Sequence, residues 1–341
     1  MKFNPNRGLV NRTLLKEGDS INILTCPTHD PFEAALSKAL PYANFYAYND
    51  EGTIPGWAGH REQPSNYFVL ERGSKDNGIP DIPFHLCLSQ NPFAHLKYLG
   101  RYSQLMGIPL ISLVHTNEPL GVNPQVWSGL HSIDAEHVFI TDNSRARWGF
   151  MKHPRAHTIY HCVDGELFKP LGLSKQEYIV TIGNEPTERW RELGLDIQDK
   201  VTQHFPKRHV GRDSHNAALH NPVMGAENIN IELNRAQIFG CFARSSPIPM
   251  SLVEAASAGC AILTTNNGAI PDVFEHKNNC YMFPVDRPEI GRQHLEFLLQ
   301  NPEECARIGR NARELAQTFF SETRFSNEWS ELLWNTIKKI S

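Results

Sequence analysis

Residues 245–265 hold the side chains and spacing best suited to chemistry. The run is Ser245-Ser-Pro-Ile-Pro-Met-Ser-Leu-Val-Glu-Ala-Ala-Ser-Ala-Gly-Cys-Ala-Ile-Leu-Thr-Thr265. Pro247 and Pro249 keep the chain extended and prevent a helix from starting before Met250. Met250 to Ala258 is a run of small and helix-favouring residues. Gly259 stands where a left-handed cap would end it, and Cys260 to Leu263 reads as a short apolar strand. The first amides of such a helix, at Met250, Ser251 and Leu252, have no intrahelical acceptor and carry partial positive charge, which suits phosphate. Glu254 lies about one turn in, where a carboxylate can accept two hydrogen bonds from sugar hydroxyls. Together these describe a site for a sugar joined to a phosphate. The same residues also fit an ordinary α/β crossover whose Glu254 complements the helix dipole, and both readings stand at this point.

The rest of the chain alternates short apolar runs with helical patterns, as an α/β protein does. Strands are expected at Ile21–Thr25, Asn44–Asp50, Tyr67–Leu70, Pro83–Ser89 and Gly107–His115, and His137–Ser144 reads as a strand and turn. A helix is expected from Phe32 to about Leu40, and another from Asn91 to Leu105 with Phe93, Leu96, Leu99 and Leu105 near helical spacing. Arg145 to Phe150 begins a further helix. The second half offers strands at Glu177–Gly183, Arg208–Gly211 and Gln237–Ala243, and a helix at Ile229–Ala236. Later helices are expected at Pro288–Leu299, Pro302–Phe319 and Ser326–Ile340. In open α/β sheets the loops at the carboxyl ends of strands line the ligand crevice. His29 and His115 lie at two such ends, and Glu118 follows His115 closely. A solvated loop is the other reading of His29, a strand-end histidine bonded to backbone that of His115, and a surface carboxylate that of Glu118.

Bulk properties narrow the class. The chain has 341 residues, enough for two ordinary domains, with 40% hydrophobic and 21% charged residues and a net charge of -4. That balance supplies no global pull toward nucleic acid or anionic lipid. The seven cysteines are scattered and form no CxxC pair, so free thiols in a reducing, cytoplasmic setting are expected rather than disulfides or zinc. No run approaches the ~20 apolar residues of a membrane span.

The stretch around Glu254 resembles the C-terminal signature of retaining family 4 glycosyltransferases. Asn266-Asn-Gly-Ala-Ile-Pro-Asp-Val-Phe274, Asn279-Cys-Tyr-Met-Phe-Pro-Val-Asp286 and Thr158-Ile-Tyr-His-Cys-Val-Asp-Gly-Glu-Leu-Phe-Lys-Pro170 are similar to further motifs of that family. The resemblance covers about residues 83–320 and implies the GT-B fold, two doubly wound Rossmann-like α/β domains facing a central cleft. The first would span residues 1–170, with a C-terminal helix at 321–341 packing back on it. The second would span 171–320 and bind the nucleotide sugar, with Val223-Met-Gly225 near its base. By the same resemblance Glu254 holds the nucleotide ribose and His115 lies near the reacting sugar. Arg189 falls on a position that neutralises the donor diphosphate. Two positions depart from the pattern: Ser246 stands where the family has a first Glu, and Asn184 where it has an Arg, for which Arg191 is a candidate replacement. Thr28-His29-Asp30 replaces the usual Gly-rich loop.

The implied reaction moves a sugar from a UDP- or GDP-sugar to an acceptor hydroxyl with retention. No Asp-x-Asp motif is present, so cationic side chains are expected to serve in place of a metal. The acceptor is expected to be a glycan or small molecule. Arg145, Arg147, Lys152, His153, Arg155 and His157 form a local basic cluster, which leaves a nucleic-acid acceptor as an alternative beside a solvated helix face. A non-catalytic sugar-nucleotide-binding or scaffold protein of the same fold is the other alternative.

Overall fold

A computed structural model describes residues 15, 19–26, 28–48, 57, 59–70, 82–92, 94–117, 129–221 and 225–338. Glu118, Phe93, Val223 and Met224, named above, lie outside the described residues. The chain divides into two compact units, Met1–Tyr160 with Thr323–Ser341, and His161–Glu322. The first unit's leading segment ends at Tyr160. The segment after it is fastened to the second unit: Ser257 Oγ donates to the Phe168 carbonyl (2.6 Å) and Asn234 Nδ2 to that of Lys169 (3.0 Å).

Among its described residues the first unit has seven parallel strands: β1 (Ile21–Thr25), β2 (Ala43–Tyr48), β3 (Tyr67–Leu70), β4 (Leu86–Ser89), β5 (Leu110–Val114), β6 (Glu136–Phe139) and β7 (Ala156–Thr158). Their order is β3-β2-β1-β4-β5-β6-β7, so the winding direction reverses between β1 and β4. Strands β4 and β5 are buried at every position, as expected where helices cover both sheet faces. The helix Ala94–Met106 turns Leu96, Leu99 and Met106 into the core and leaves Leu105 exposed. Leu105 therefore departs from the apolar face expected of it. The helix Asp142–Arg147 starts earlier than expected because Thr141 caps it, accepting from the Ser144 amide at 2.9 Å. The last helix, Glu322–Lys338, belongs to this unit and sets Phe325 and Trp329 against Phe32 of the helix Asp30–Ala39, with ring centroids 6.0 and 6.5 Å apart.

The second unit carries β8 (Gln176–Ile182), β9 (Lys207–Val210), β10 (Ala236–Cys241), β11 (Ala261–Thr265) and β12 (Tyr281–Phe283). All pairings are parallel, in the order β12-β11-β10-β8-β9, and the winding reverses between β8 and β10. The helix before β10 spans Ala226–Arg235, so Ala236, expected to end it, is already strand. All seven cysteines are buried as thiols outside any disulfide. Among the described residues no helix is long and apolar enough to cross a membrane.

His137 on β6 is fully buried, and neither ring nitrogen has a hydrogen-bond partner among the described residues. Its ring packs on Phe150 (4.8 Å) and edge-on to His153 (5.3 Å). Burial, then the neighbouring His153, pushes its pKa down to about 4. A pKa depressed in the folded state means that the unfolded chain binds the proton more tightly. The stability this group contributes is therefore present above its ordinary value and is lost as pH falls toward about 4. Urea unfolding of the wild type should show a falling midpoint across that acidic window. His137→Phe should flatten the fall; an unchanged slope in the variant would assign it to other groups.

Candidate functional site

The helix Met250–Ser257 opens at Pro249, which offers no side-chain cap, so its N-terminus is free of internal carboxylates. The Pro249 carbonyl accepts from the Leu252 amide at 3.1 Å and more weakly from Val253 at 3.4 Å. This corrects the expectation for Leu252: a tight first turn occupies its N–H. Met250 and Ser251, both half-buried, keep amides with no intrahelical acceptor. Glu254 is buried on the same helix.

The loops after β8, β10 and β11 meet around this helix start. The Glu192 carbonyl accepts from the Arg244 amide at 2.8 Å, and Ala269 N donates to the Pro247 carbonyl at 2.8 Å. Gly268 (φ 61°) is pressed so close that an added Cβ would lie 2.1 Å from the Ser246 carbonyl oxygen. No other residue type fits there. Ser246 is thereby held by its backbone beside the helix start. Arg189 is exposed at the cap of the short helix Trp190–Leu193, and its Nη1 reaches the Asn184 carbonyl at 3.5 Å. The Arg191 guanidinium lies over the Trp190 ring, 5.1 Å from its centroid. The structure thus brings Ser246, Met250, Ser251 and Glu254 onto one loop and helix after β10. Asn184, Arg189 and Arg191 lie on the loop after the adjacent strand, β8.

Two carboxylates that the sequence reading passed over weld the β8 and β9 loops. Asp213 Oδ2 accepts from Thr187 N (3.0 Å) and Thr187 Oγ1 (2.6 Å), while its Oδ1 accepts from the amides of His215 and Asn216. Burial raises the Asp213 pKa, but these hydrogen bonds outweigh it and leave the group below its ordinary value. Glu185 accepts from Ser214 N, Ser214 Oγ and Arg212 Nε at 2.6–2.8 Å, and the Ser214 bonds first, then Arg212, hold it below the ordinary carboxylate range. Among the described residues, Glu185, Glu188 and His215 each offer a ligand atom within 4.8 Å of one another. Glu185 already has this full set of donors, which a cation would have to displace.

In the first unit, the β1 and β4 loops flank the point where the winding reverses. His29 is exposed and caps the helix Asp30–Ala39 through its backbone. The buried Glu33 Oε1 accepts from the amides of Thr28 (2.5 Å) and His29 (3.1 Å). The Thr28 and His29 amides are therefore turned toward an internal carboxylate, not toward a ligand phosphate. Tyr67 donates its hydroxyl to Glu33 Oε2. Gln90 Nε2 donates to Glu33 Oε1 (3.4 Å) and Thr25 Oγ1 (3.3 Å), and its Oε1 faces His115 Nε2 at 3.3 Å. With the Gln90 amide nitrogen turned to the carboxylate, its oxygen is left to accept from His115 Nε2. The His115 ring also meets Phe32 edge-on, with centroids 4.5 Å apart. Glu33 and Gln90 are separated by 57 positions, so no local pattern announces them. Asn117, two residues after His115, is buried with neither amide atom partnered among the described residues.

The basic cluster is partly neutralised. Glu136, almost wholly buried, pairs with Arg155 Nε at 3.1 Å and His157 Nε2 at 2.7 Å, and Arg155 also bonds Asp134. Arg145 Nε donates to the Phe150 carbonyl at 3.3 Å.

Comparison with solved structures defines the class of fold. Sucrose-phosphate synthase from Thermosynechococcus elongatus superposes with a TM-score of 0.73 at 13% identity, covering 94% of this chain and 100% of that one. HepE from Anabaena, solved with UDP-glucose, gives 0.70 at 14% identity, covering 92% and 100%. A glycosyltransferase from Rickettsia africae gives 0.68 at 11% identity, covering 94% and 99%. The fold is GT-B, with two doubly wound Rossmann-like domains. Residues 214–315, all in the second unit, match the family model described as "Glycosyl transferases group 1". No curated protein matches significantly.

Burial holds the Glu33 pKa above the ordinary glutamate value, despite the lowering bonds from Tyr67, Thr28 and His29. A pKa raised by folding gives stability that is full at low pH and is lost as pH climbs through the raised value. Glu33→Gln keeps an oxygen acceptor for the two amides and carries no charge. Its unfolding midpoint, measured from about pH 4.5 to about pH 8, should therefore gain on the wild type as pH rises. A constant gap would mean that Glu33 does not titrate in this window.

Proposed function

We propose that the protein is a retaining glycosyltransferase that moves a sugar from a nucleotide-diphosphate sugar to an acceptor hydroxyl without a metal. One observation carries the reading. The uncapped start of the helix Met250–Ser257 and the Arg189 loop lie at the carboxyl ends of β10 and β8, the pair between which the winding reverses. Open α/β sheets bind their ligands at such points. The match to glycosyl transferases group 1 supports it, as do the HepE structures, solved in complex with UDP and with UDP-glucose.

In this reading the Met250 and Ser251 amides and Arg189 take the diphosphate, with Ser246 beside them. The Glu254 carboxylate takes ribose hydroxyls. The bond between the sugar's anomeric carbon and the phosphate oxygen breaks, and its electron pair stays on the oxygen. The acceptor oxygen forms the new bond on the face the phosphate leaves, and its proton passes to that phosphate oxygen. Arg189 stabilises the charge developing there, a task a cationic side chain performs without a metal. His115, oriented by Gln90, serves as a hydrogen-bonding and positioning group in the first unit. The pairing of Arg155 and His157 with Glu136 favours a glycan or small-molecule acceptor over nucleic acid. The seven buried thiols fit the cytoplasm.

Thermal-shift titration with UDP-glucose, other UDP-sugars and GDP-sugars should raise the melting midpoint for at least one donor. Arg189→Ala and Glu254→Ala should each weaken that donor about tenfold to a hundredfold, the worth of a charge-assisted hydrogen bond. Transfer should persist in EDTA, and product NMR should give the donor's own anomeric configuration. Binding without turnover on any acceptor would instead favour a sugar-nucleotide-binding scaffold, and wild-type transfer by both variants would end the reading.

A further inference from the structure

We propose that Arg212, on the loop after β9, is a second guanidinium that grips the donor diphosphate; this rests on the donor site described above. Asn184 accepts from both arginines. Its carbonyl faces Arg189 Nη1 at 3.5 Å, and its side-chain Oδ1 accepts from the Arg212 amide at 3.0 Å. Glu185 N in turn donates to the Arg212 carbonyl at 2.6 Å. The two loops cannot drift apart or slide. Gly211 (φ 143°) sits so close to Gly183 that an added Cβ would lie 2.0 Å from its carbonyl oxygen. Arg212 thus has a fixed origin at the carboxyl end of β8, beside Arg189.

Its side chain is aimed as well as anchored. Nε donates to Glu185 Oε1 at 2.8 Å, and Glu185 is itself held by Ser214. The side chain remains 62% exposed, and its two terminal nitrogens have no hydrogen-bond partner among the described residues. An arginine pinned at Nε and open at both terminal nitrogens presents a preset pair of donors, the geometry that matches phosphate oxygens. The other nearby cations are placed differently. Arg244 makes a two-bond pair with Asp196 (2.5 and 2.6 Å), and Arg191 lies on Trp190. A diphosphate carries about two negative charges when bound and gains more on its leaving oxygen as the glycosidic bond breaks. Arg189 meets part of that charge, and Arg212, whose own charge is shared with Glu185, adds a second preset pair of donors from a neighbouring loop.

The test compares UDP with UMP, and GDP with GMP, by calorimetry on the full chain. Arg212→Ala should weaken the diphosphate about tenfold or more and leave the monophosphate within about twofold, a selectivity that loosening of the loop alone would not give. Arg212→Lys should recover part of the loss. Asn184→Arg placed in the Arg212→Ala background should also recover affinity, by returning a cation to the same spot from the adjoining strand. Equal loss for both nucleotides, or diphosphate affinity unchanged in Arg212→Ala while Arg189→Ala loses it, would overturn the proposal and leave the donor site standing. Failure of the wild type to bind either diphosphate would overturn both. If Arg212→Ala melts early, Arg212→Gln, which keeps a polar group for Glu185, takes its place under the same criteria.

Discussion

Close approach of backbone to backbone at the carboxyl edge of the second sheet is the constraint on which the rest depends. Gly211 lies against the Gly183 carbonyl and Gly268 against that of Ser246, each at a distance no Cβ allows. These two contacts set the spacing of the β8, β9, β10 and β11 loops before any side chain is placed. Hydrogen bonds from Ala269 to Pro247 and from Arg244 to Glu192 then lock the same edge. The helix dipole, the arginines and Glu254 gain their arrangement from that backbone scaffold. Rigid placement matters because donors already aimed at a developing charge need no reorganisation when the bond breaks.

The first unit achieves comparable order by a different means. A single buried carboxylate, Glu33, gathers two loop amides, a tyrosine hydroxyl and the Gln90 amide. Burying a charge is costly unless it is fully hydrogen-bonded, and the four donors that converge on Glu33 offset only part of that cost. Gln90 transmits the arrangement to His115, while Phe32 presses on the same ring from the side. The imidazole is therefore held by one polar and one aromatic contact.

Much of the fold was legible because parallel strands buried on both faces are written as short apolar runs. β1, β5, β10 and β11 could be read that way. The helix after Pro249 was legible too, since prolines and Gly259 punctuate it. Reading motifs along the chain singles out Arg189 and Glu254 and passes over the loop-bridging Arg212, Asp213, Glu33 and Gln90. Those residues act through contacts between loops distant in sequence, and nothing at neighbouring positions marks them. Leu252 shows the limit at finer scale: sequence places it in the first turn, but only geometry shows its amide turned to Pro249. Leu105 fits a helical repeat and yet faces solvent, because Met106 fills the core position beside it.

The helix Glu322–Lys338 completes the first unit although the whole second unit precedes it in the chain. It stacks Trp334 on Tyr42 and sets Phe325 and Trp329 against Phe32, the residue that steadies His115. During synthesis the N-terminal sheet must wait, with that apolar surface uncovered, while residues 161–322 are translated. The contiguous half can mature first, and the earlier half closes only once residues 323–338 have been made. Order of assembly thus runs against order of synthesis, and His115 gains its final surroundings last.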